Sequence, residues 1–248
     1  MSRSMMRGVQ IAVGALVIAG VLTPSPAQAQ IRRVSGSSDS RQAIGFNLGY
    51  FLLKGEDSRD DDDVLFRDLD SLIFDISDFN GATVGAEYLF GLTDFIEIGA
   101  GINYYQKGVP SIYRDVTFPD GGELEQELKL RQIPMMATVR FLPTGRRATV
   151  QPYIGAGIAA INWRYTETGD FIDFNGDIFR ASFKPDGTEV APVILGGVRF
   201  SASDVWLVGG EFRWHSAKGD TGGIDEGFLG DTIDLGGWST NFTLHFRF

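Results

Sequence analysis

The sequence predicts an all-β fold, an eight-stranded antiparallel up-and-down transmembrane β-barrel. Three observations lead to this prediction: an export signal, segments in which apolar and polar residues alternate, and connections that are alternately short and long. The alternation is clearest in residues 238–248, where one face is largely aromatic or aliphatic and the other is polar. Such a strand is typical of a barrel whose outer face meets lipid and whose inner face lines the lumen.

The N-terminus predicts export. Arg3 and Arg7 form a charged start, an apolar run follows from residue 9 to residue 22, and small residues at 27–29 form a cleavage site. The apolar run has 14 residues (22 − 9 + 1), fewer than the roughly 20 that a spanning helix needs. We expect a cleaved signal peptide at residues 1–29, a short N-terminal segment at 30–42 and an outer-membrane barrel at 43–248.

Composition restricts the class of protein further. Removal of residues 1–29 deletes two arginines and no acid, so the formal charge changes from -10 to -12 (20 basic against 32 acidic residues). We expect no nucleic-acid partner, because phosphate affinity comes from Lys and Arg. The chain has no cysteine, so an exported protein must be stable without disulfides, and a closed ladder of strands provides that stability.

Eight segments fit the strand alternation. They comprise residues 43–53, 81–90, 96–104, 126–142, 153–165, 190–200, 205–215 and 238–248. In the first, Ile44 and Phe46 belong to an apolar face, and in the second and third the apolar side chains oppose Glu87 and Glu97. The four residues 91–94 between the second and third predict a tight hairpin turn.

The fourth and fifth segments are less regular. Pro134 interrupts the fourth, where we expect a β-bulge. In the fifth, Tyr153, Trp163 and Tyr165 share one face and Arg164 lies on the other. Because the middle of this segment is rich in glycine and alanine, only its ends predict its orientation, with the aromatic side chains toward lipid.

The last three segments are regular. Residues 201–204 predict a tight turn between the sixth and the seventh. In the seventh, Trp206, Phe212 and Trp214 are predicted to face lipid, while Glu211 and Arg213 face inward. Aromatic residues near strand ends predict two interfacial girdles: Tyr50, Tyr88, Tyr104, Tyr105, Tyr153, Trp163, Tyr165, Trp206, Trp214 and Trp238. A sugar-binding platform is the alternative.

Long connections follow the odd-numbered segments. They cover residues 54–80, 107–125, 166–189 and 216–236, whereas the connections after the even-numbered segments are short. Outer-membrane barrels have this rhythm, with the long loops outside the cell. The first loop holds ten acidic and three basic residues, including the run Asp60–Asp63. It predicts a solvated acidic surface or an extracellular ligand site, with loose divalent-cation binding as an alternative.

With these features the chain resembles the small eight-stranded outer-membrane proteins, the group that includes the OmpA transmembrane domain, OmpX and OmpW. The resemblance depends on the signal, the segment 151–158, the four-loop rhythm and the terminal Phe248. It implies that Phe242, Phe246 and Phe248 form the assembly signal that the barrel-insertion machinery reads.

Charged residues at inward positions form a predicted lumen charge network. Its members are Glu87, Glu97, Arg140, Arg164, Arg199, Glu211, Arg213 and Arg247. Eight strands enclose an interior that side chains nearly fill, so we expect Glu/Arg contacts to block the lumen. A narrow, low-conductance channel for small solutes is the alternative.

Catalysis has little support in the sequence. With two histidines and no cysteine, zinc chemistry is nearly excluded, and we predict no cofactor, metal site or catalytic residue. A lipid A-modifying hydrolase using His215 and Ser216 is one alternative, although adjacent strand residues point in opposite directions. A soluble ligand-binding barrel, with its apolar residues inside, is another.

The sequence therefore predicts a non-enzymatic barrel in the outer membrane of a Gram-negative-type bacterium, with a structural or surface-interaction role. Its expected partners are outer-membrane lipid, lipopolysaccharide and the barrel-insertion machinery.

Overall fold

The computed structural model describes residues 40–173 and 175–248. The predicted signal peptide and residues 30–39 lie outside this part of the chain. The strands are β1 (Gln42–Leu53), β2 (Leu72–Ile73), β3 (Gly81–Gly91), β4 (Ile96–Thr117), β5 (Glu123–Phe141), β6 (Val150–Ile172), β7 (Ile178–Phe183), β8 (Asp186–Ser201), β9 (Trp206–His215), β10 (Lys218–Asp220), β11 (Thr232–Asp234) and β12 (Gly237–Arg247). The described helices are α1 (Val64–Asp68) and the 3-10 helices Glu56–Ser58, Ile76–Phe79 and Gly223–Glu226.

Eight of these strands close into a ring. Its order is β1, β3, β4, β5, β6, β8, β9 and β12, every neighbouring pair is antiparallel, and β12 pairs back with β1. The predicted fold class, an eight-stranded antiparallel barrel, is confirmed.

The register fixes the stagger of the ring. Register partners followed from Leu53 through β12, β9, β8, β6, β5, β4 and β3 lead back to β1 at Ala43, a shift of ten residues (53 − 43). A closed sheet with such a shift must tilt its strands, typically by about 35–45°. Register partners on successive strands therefore lie at different heights along the barrel axis.

An apolar band surrounds the lower part of the barrel, meaning the part toward the short turns, with the long loops at the upper end. Its members are exposed large hydrophobic side chains on the outer face, such as Phe46, Leu48, Val84, Ile102, Val139, Ile154, Ile158, Ile194, Phe212, Trp238 and Phe242. Glu211 and Arg213, the inward neighbours of Phe212, are buried. The soluble-barrel alternative requires the opposite orientation and is therefore wrong.

Above the apolar band the polarity reverses. The long strands β4, β5 and β6 continue upward with polar residues outside, and Leu128, Leu130, Trp163 and Tyr165 are buried inside. They pack with hydrophobic residues of the loops, including Leu65, into one core cluster. Much of the predicted loops 107–125 and 166–189 is strand rather than loop. The pattern of these strand ends is reversed because water surrounds the barrel at this height, so their hydrophobic residues lie in the interior.

The orientation predicted for β6 is wrong. Tyr153, Trp163 and Tyr165 point inward, whereas Ile154 and Ile158 are 64% and 62% exposed on the outer face. A shift of one residue moves every side chain of a strand to the other face, and the small residues in the middle of β6 gave no signal for either choice. Tyr105 also lies inside, so four of the ten residues predicted for the girdles point inward, and the girdles stay a prediction for the other six.

Pro134 causes no bulge. The two β4–β5 pairs at Pro134 and Ile133 are absent from the ladder, but the register is the same on both sides, as in Ile102 with Met135 and Tyr105 with Gln132. Proline removes one amide donor, and the ladder accommodates that loss without an extra residue.

Among the described residues, no helix is long and apolar enough to cross a membrane.

Candidate functional site

Three glutamates and three arginines of the predicted lumen charge network meet inside the apolar band. They are Glu87 on β3, Glu97 on β4, Arg140 on β5, Arg199 on β8, and Glu211 and Arg213 on β9. Each side chain is at least nine-tenths buried. Formal charges in this group cancel, since three carboxylates face three guanidinium groups.

Arg140 joins two of the glutamates. Its guanidinium donates two hydrogen bonds to the Glu87 carboxylate, at 3.1 and 2.5 Å, and one of its nitrogens lies 3.2 Å from a Glu211 oxygen. Bidentate contacts between guanidinium and carboxylate are among the stronger hydrogen-bonded pairs. Because β3, β5 and β9 are not neighbours in the ring, these bonds cross the lumen.

Arg213 extends the network upward. It donates to Glu211 at 2.5 Å and to the side-chain oxygen of Asn103 at 2.9 Å. Asn103 donates in turn to Asn47 at 2.7 Å. The chain of contacts thus runs from β9 across the lumen to β4 and β1.

A second cross-lumen pair lies beside the Tyr153 ring. Arg199 donates to Glu97 at 2.6 Å. The guanidinium carbons of Arg199 and Arg140 lie 5.0 and 5.2 Å from the centre of the Tyr153 ring, and the Tyr153 hydroxyl donates to Glu211 at 3.0 Å. Tyr153 is therefore in cation–π contact with both arginines, which stabilises the two cations.

The lower rim contains the remaining inward arginine. Arg247 donates to the Arg146 carbonyl at 2.6 Å and to the Gln151 side chain at 3.0 Å. His245 contacts Glu87 at 2.7 Å and joins the network from β12.

Arg164 is not part of the network, and the prediction that it points inward is wrong. Its side chain is 46% exposed and lies 3.6 Å from Asp186 on the outer surface. The reason is the same one-residue reversal that places Trp163 inside.

Sequence reasoning missed Tyr153, His245 and Asn103 as members of the network. The period-two rule places His245 and Asn103 on the polar faces of their strands, so a signal existed for them. No comparable signal existed for Tyr153, since an aromatic residue in a barrel strand ordinarily indicates the lipid face.

An apolar layer covers the network on its upper side. Phe51 stacks on His215 at 5.3 Å and meets the Tyr105 ring edge-on at 5.0 Å. Trp163, which is 1% exposed, belongs to the same core cluster. A cavity of about 20 Å³ between Arg213 and Phe51 has room for about one water molecule.

The acidic run of the first loop is divided between core and solvent. Asp60, Asp61 and Asp62 are exposed, whereas Asp63 is buried and accepts two hydrogen bonds from Arg59 at 2.7 Å. Asp63 also accepts from the backbone of Asp234 at 2.6 Å and thereby ties the first loop to the fourth. Within residues 40–173 and 175–248, no group of three or more His, Cys, Asp or Glu side chains is arranged to hold a metal ion.

The residues of the predicted assembly signal lie on the outer face of the last strand and just after it. Phe242, Phe246 and Phe248 are all exposed there, and Phe246 contacts Trp206 at 5.1 Å between ring centres. Their outward position is compatible with contact to lipid or to another protein during insertion.

No protein-family model matches the chain, and no curated protein does either. Solved structures do resemble it. Neisserial surface protein A is 11% identical, with a TM-score of 0.47 over 84% of this chain and 98% of that chain. The outer-membrane protein OprG from Pseudomonas aeruginosa is 13% identical, with a TM-score of 0.45 over 84% of this chain and 96% of its own.

The N-terminal β-barrel domain of Pseudomonas aeruginosa OprF is 10% identical, with a TM-score of 0.41 over 84% and 98% of the two chains. The chain is thus similar to outer-membrane β-barrels of known structure, as its sequence predicted. At such low identity, the fold assignment depends on the chain's own strand pairing.

Proposed function

We propose that the protein is an outer-membrane β-barrel with a structural or surface-interaction role and a closed, non-conducting lumen. The observation that carries this proposal is the set of ion pairs across the lumen at the height of the apolar outer band. An apolar outer face favours a membrane, because exposed hydrophobic area of this extent is unfavourable in water.

Two features support a closed lumen. The Glu/Arg pairs are buried and mutually neutralised, and leaving one partner of a buried pair without the other costs about 3–5 kcal/mol. Above them, the interior holds the hydrophobic core cluster that includes Phe51 and Trp163, which is an unfavourable environment for a hydrated ion. An ion that crossed the lumen would have to disrupt the ion pairs and lose its hydration water in the hydrophobic cluster.

Planar-bilayer recording tests the closed lumen. We expect the purified barrel to give no discrete conductance steps, and we expect the same of the control variant Glu127→Ala, whose side chain is on the outer surface. Discrete steps from the unaltered protein that change in Glu211→Ala or Arg213→Ala would establish the narrow-channel alternative instead.

Fractionation of cells tests the location. We expect the protein in the outer-membrane fraction and a shift in gel mobility on boiling, because a closed barrel resists detergent until it is heated. A protein found in the soluble fraction, without a mobility shift, would contradict the proposal.

The position of His215 favours a non-catalytic role over the hydrolase alternative. His215 is buried, stacks on Phe51, and has its Nε2 atom 3.1 Å from the Leu235 carbonyl. The ring lies on the inward face of β9, away from a lipid on the outer surface. We therefore expect overexpression to leave lipid A unchanged; altered lipid A that disappears in His215→Ala would overturn this conclusion.

Lipopolysaccharide is the proposed lipid partner, and a pair of arginines supports it. Arg131 on β5 and Arg164 on β6 are direct register partners on the outer face. Like charges directly opposite each other destabilise a sheet. Arg131 donates to the Asn162 side chain at 3.0 Å and Arg164 lies 3.6 Å from Asp186, so the two charges are only partly compensated and a phosphate group would add to their neutralisation. Below Asn162 the outward side chains are apolar, as at Met135 and Ile158, so the pair lies near the upper edge of the band.

Co-purification tests this contact. We expect the double variant Arg131→Gln/Arg164→Gln to retain less lipopolysaccharide than the unaltered barrel. The matched control is Arg67→Gln/Lys184→Gln, which removes the same charge from exposed loop positions. Equal retention by both double variants would refute the arginine contact.

A further inference from the structure

A pocket of about 450 Å³ opens at the loop end of the barrel, away from the lumen charge network. Its walls come from the end of α1, from β2, β4, β5 and β6, and from the fourth loop. Carboxyl groups and hydrophobic side chains line it together, and its lining contains no lysine or arginine. Its volume is within the range of small-molecule sites.

Two buried carboxyl groups line this pocket. Asp68 and Glu167 are 3% and 5% exposed and lie within hydrogen-bonding reach of each other. The Tyr165 hydroxyl donates to Asp68 at 3.0 Å. Neither carboxyl group has an ion-pair partner among the described salt bridges, so the pair differs from every glutamate of the lumen charge network.

Two buried acceptor atoms in the same pocket have no hydrogen-bond partner. They are Oε1 of Glu167 and Oε1 of Gln126, and both residues line the pocket. The amide nitrogen of Gln126 already donates to Tyr113 and to the Asp170 carbonyl, each at 3.0 Å, so its oxygen is the atom left over. Buried acceptors without donors are costly, and a ligand that carries several N–H groups would satisfy both.

The protonation of the carboxyl pair fits the same conclusion. Burial raises the pKa of Asp68 to about 7, and burial together with the nearby Asp68 raises the pKa of Glu167 well above its usual range. Two carboxylates this close do not both ionise without a compensating cation. The other ionisable groups that act on the pair are Asp63, Tyr113 and Tyr165. Asp70 and Asp115 also line the pocket, and none of these groups is a cation.

We propose that this pocket binds a small organic cation through a primary ammonium group, which donates to Glu167, Asp68 and Gln126 while its hydrocarbon part contacts the apolar wall. Phe171, Leu72 and Leu229 supply that wall. A metal ion fits less well, because these side chains are not arranged as a metal-binding group. That the pocket faces the cell exterior depends on the proposed function; its binding chemistry does not.

Calorimetry with benzylamine tests the proposal on the mature chain folded in a non-ionic detergent. We expect saturable binding near neutral pH, and binding weaker by at least about tenfold for benzyl alcohol, which has the same ring without the charge. We also expect affinity to fall at mildly acid pH, because the carboxyl pair then holds protons that the ammonium must displace.

Variants separate contact from general charge. Glu167→Gln is expected to weaken benzylamine binding at least about tenfold, whereas Asp225→Asn, an exposed loop position outside the pocket lining, should leave it unchanged. A heat-shift gel verifies that each variant is folded, and Gln126→Leu provides a second test if Glu167→Gln does not fold.

Three outcomes would overturn the inference. They are no saturable binding of benzylamine, equal binding of benzyl alcohol, and tighter binding of Ca²⁺ that displaces the amine. Because the experiment uses folded protein in detergent, its failure is distinguishable from a failure of the outer-membrane assignment.

Discussion

Replacement of Glu211 by glutamine removes one charge from the centre of the lumen charge network. Glu211 is 1% exposed and contacts Arg140 at 3.2 Å, Arg213 at 2.5 Å and the Tyr153 hydroxyl at 3.0 Å. Glutamine has nearly the same shape, so packing is preserved. The change therefore tests charge rather than volume.

The expected loss of stability is large. After the substitution, two carboxylates face three guanidinium groups, and breaking a buried pair costs about 3–5 kcal/mol. The retained amide oxygen still accepts one hydrogen bond, so we expect a loss of about 3 kcal/mol. Against a typical total of about 5–15 kcal/mol, such a loss is readily measured.

Urea unfolding in detergent micelles, followed by tryptophan fluorescence, measures this difference. The matched control is Glu127→Gln, since Glu127 forms an exposed ion pair with Lys129 at 3.2 Å, and exposed pairs contribute at most about 1 kcal/mol. If Glu211→Gln is no more destabilising than this control, water screens the lumen and the reasoning for a closed network fails.

Three further predictions concern the rim, the pocket and the loops. Phe248→Gln is expected to reduce the heat-modifiable band in the outer membrane more than Phe200→Gln, which has a similar exposure (48% and 49%); equal effects would remove the assembly-signal role. Burial raises the pKa of Asp68 to about 7, so its contribution is fully present below its unfolded pKa of about 4 and is lost as pH rises through 7. Asp68→Asn should flatten that part of the profile of unfolding midpoint against pH, and an unchanged profile would contradict the assignment. Gly219→Ala places a Cβ atom 2.3 Å from the Trp163 ring, and overpacking of this kind costs about 1–3 kcal/mol; unaltered protease resistance of the fourth loop would refute the contact.

Strand number and pairing order could be predicted from the sequence because period two is a local property. Every strand of the apolar band except β6 carries a clear pattern of its own, and the short turns join neighbours directly. The inward position of the network members on β3, β4, β5, β8 and β9 could be predicted from the same alternation of apolar and polar residues. Ends of β4, β5 and β6 could not be predicted this way, since a strand above the membrane reverses its pattern and resembles a polar loop.

The acidic pocket was beyond sequence reasoning. Asp68 and Glu167 are 99 positions apart (167 − 68), and each is one acid among many. Only the fold of the first loop onto β6 removes both from water and leaves their oxygens without cations. The general acidity of the loops indicated a solvated surface and gave no reason to select these two residues.

By itself, the sequence determined which side chains alternate and how many strands they form, because a strand presents its residues to two faces in turn. Tertiary structure decided which face of β6 is inside, where Arg164 lies, and which charges meet across the lumen. Those outcomes depend on the ten-residue stagger of the closed ring and on the height at which lipid gives way to water. Both are properties of all eight strands together, and no single segment encodes them.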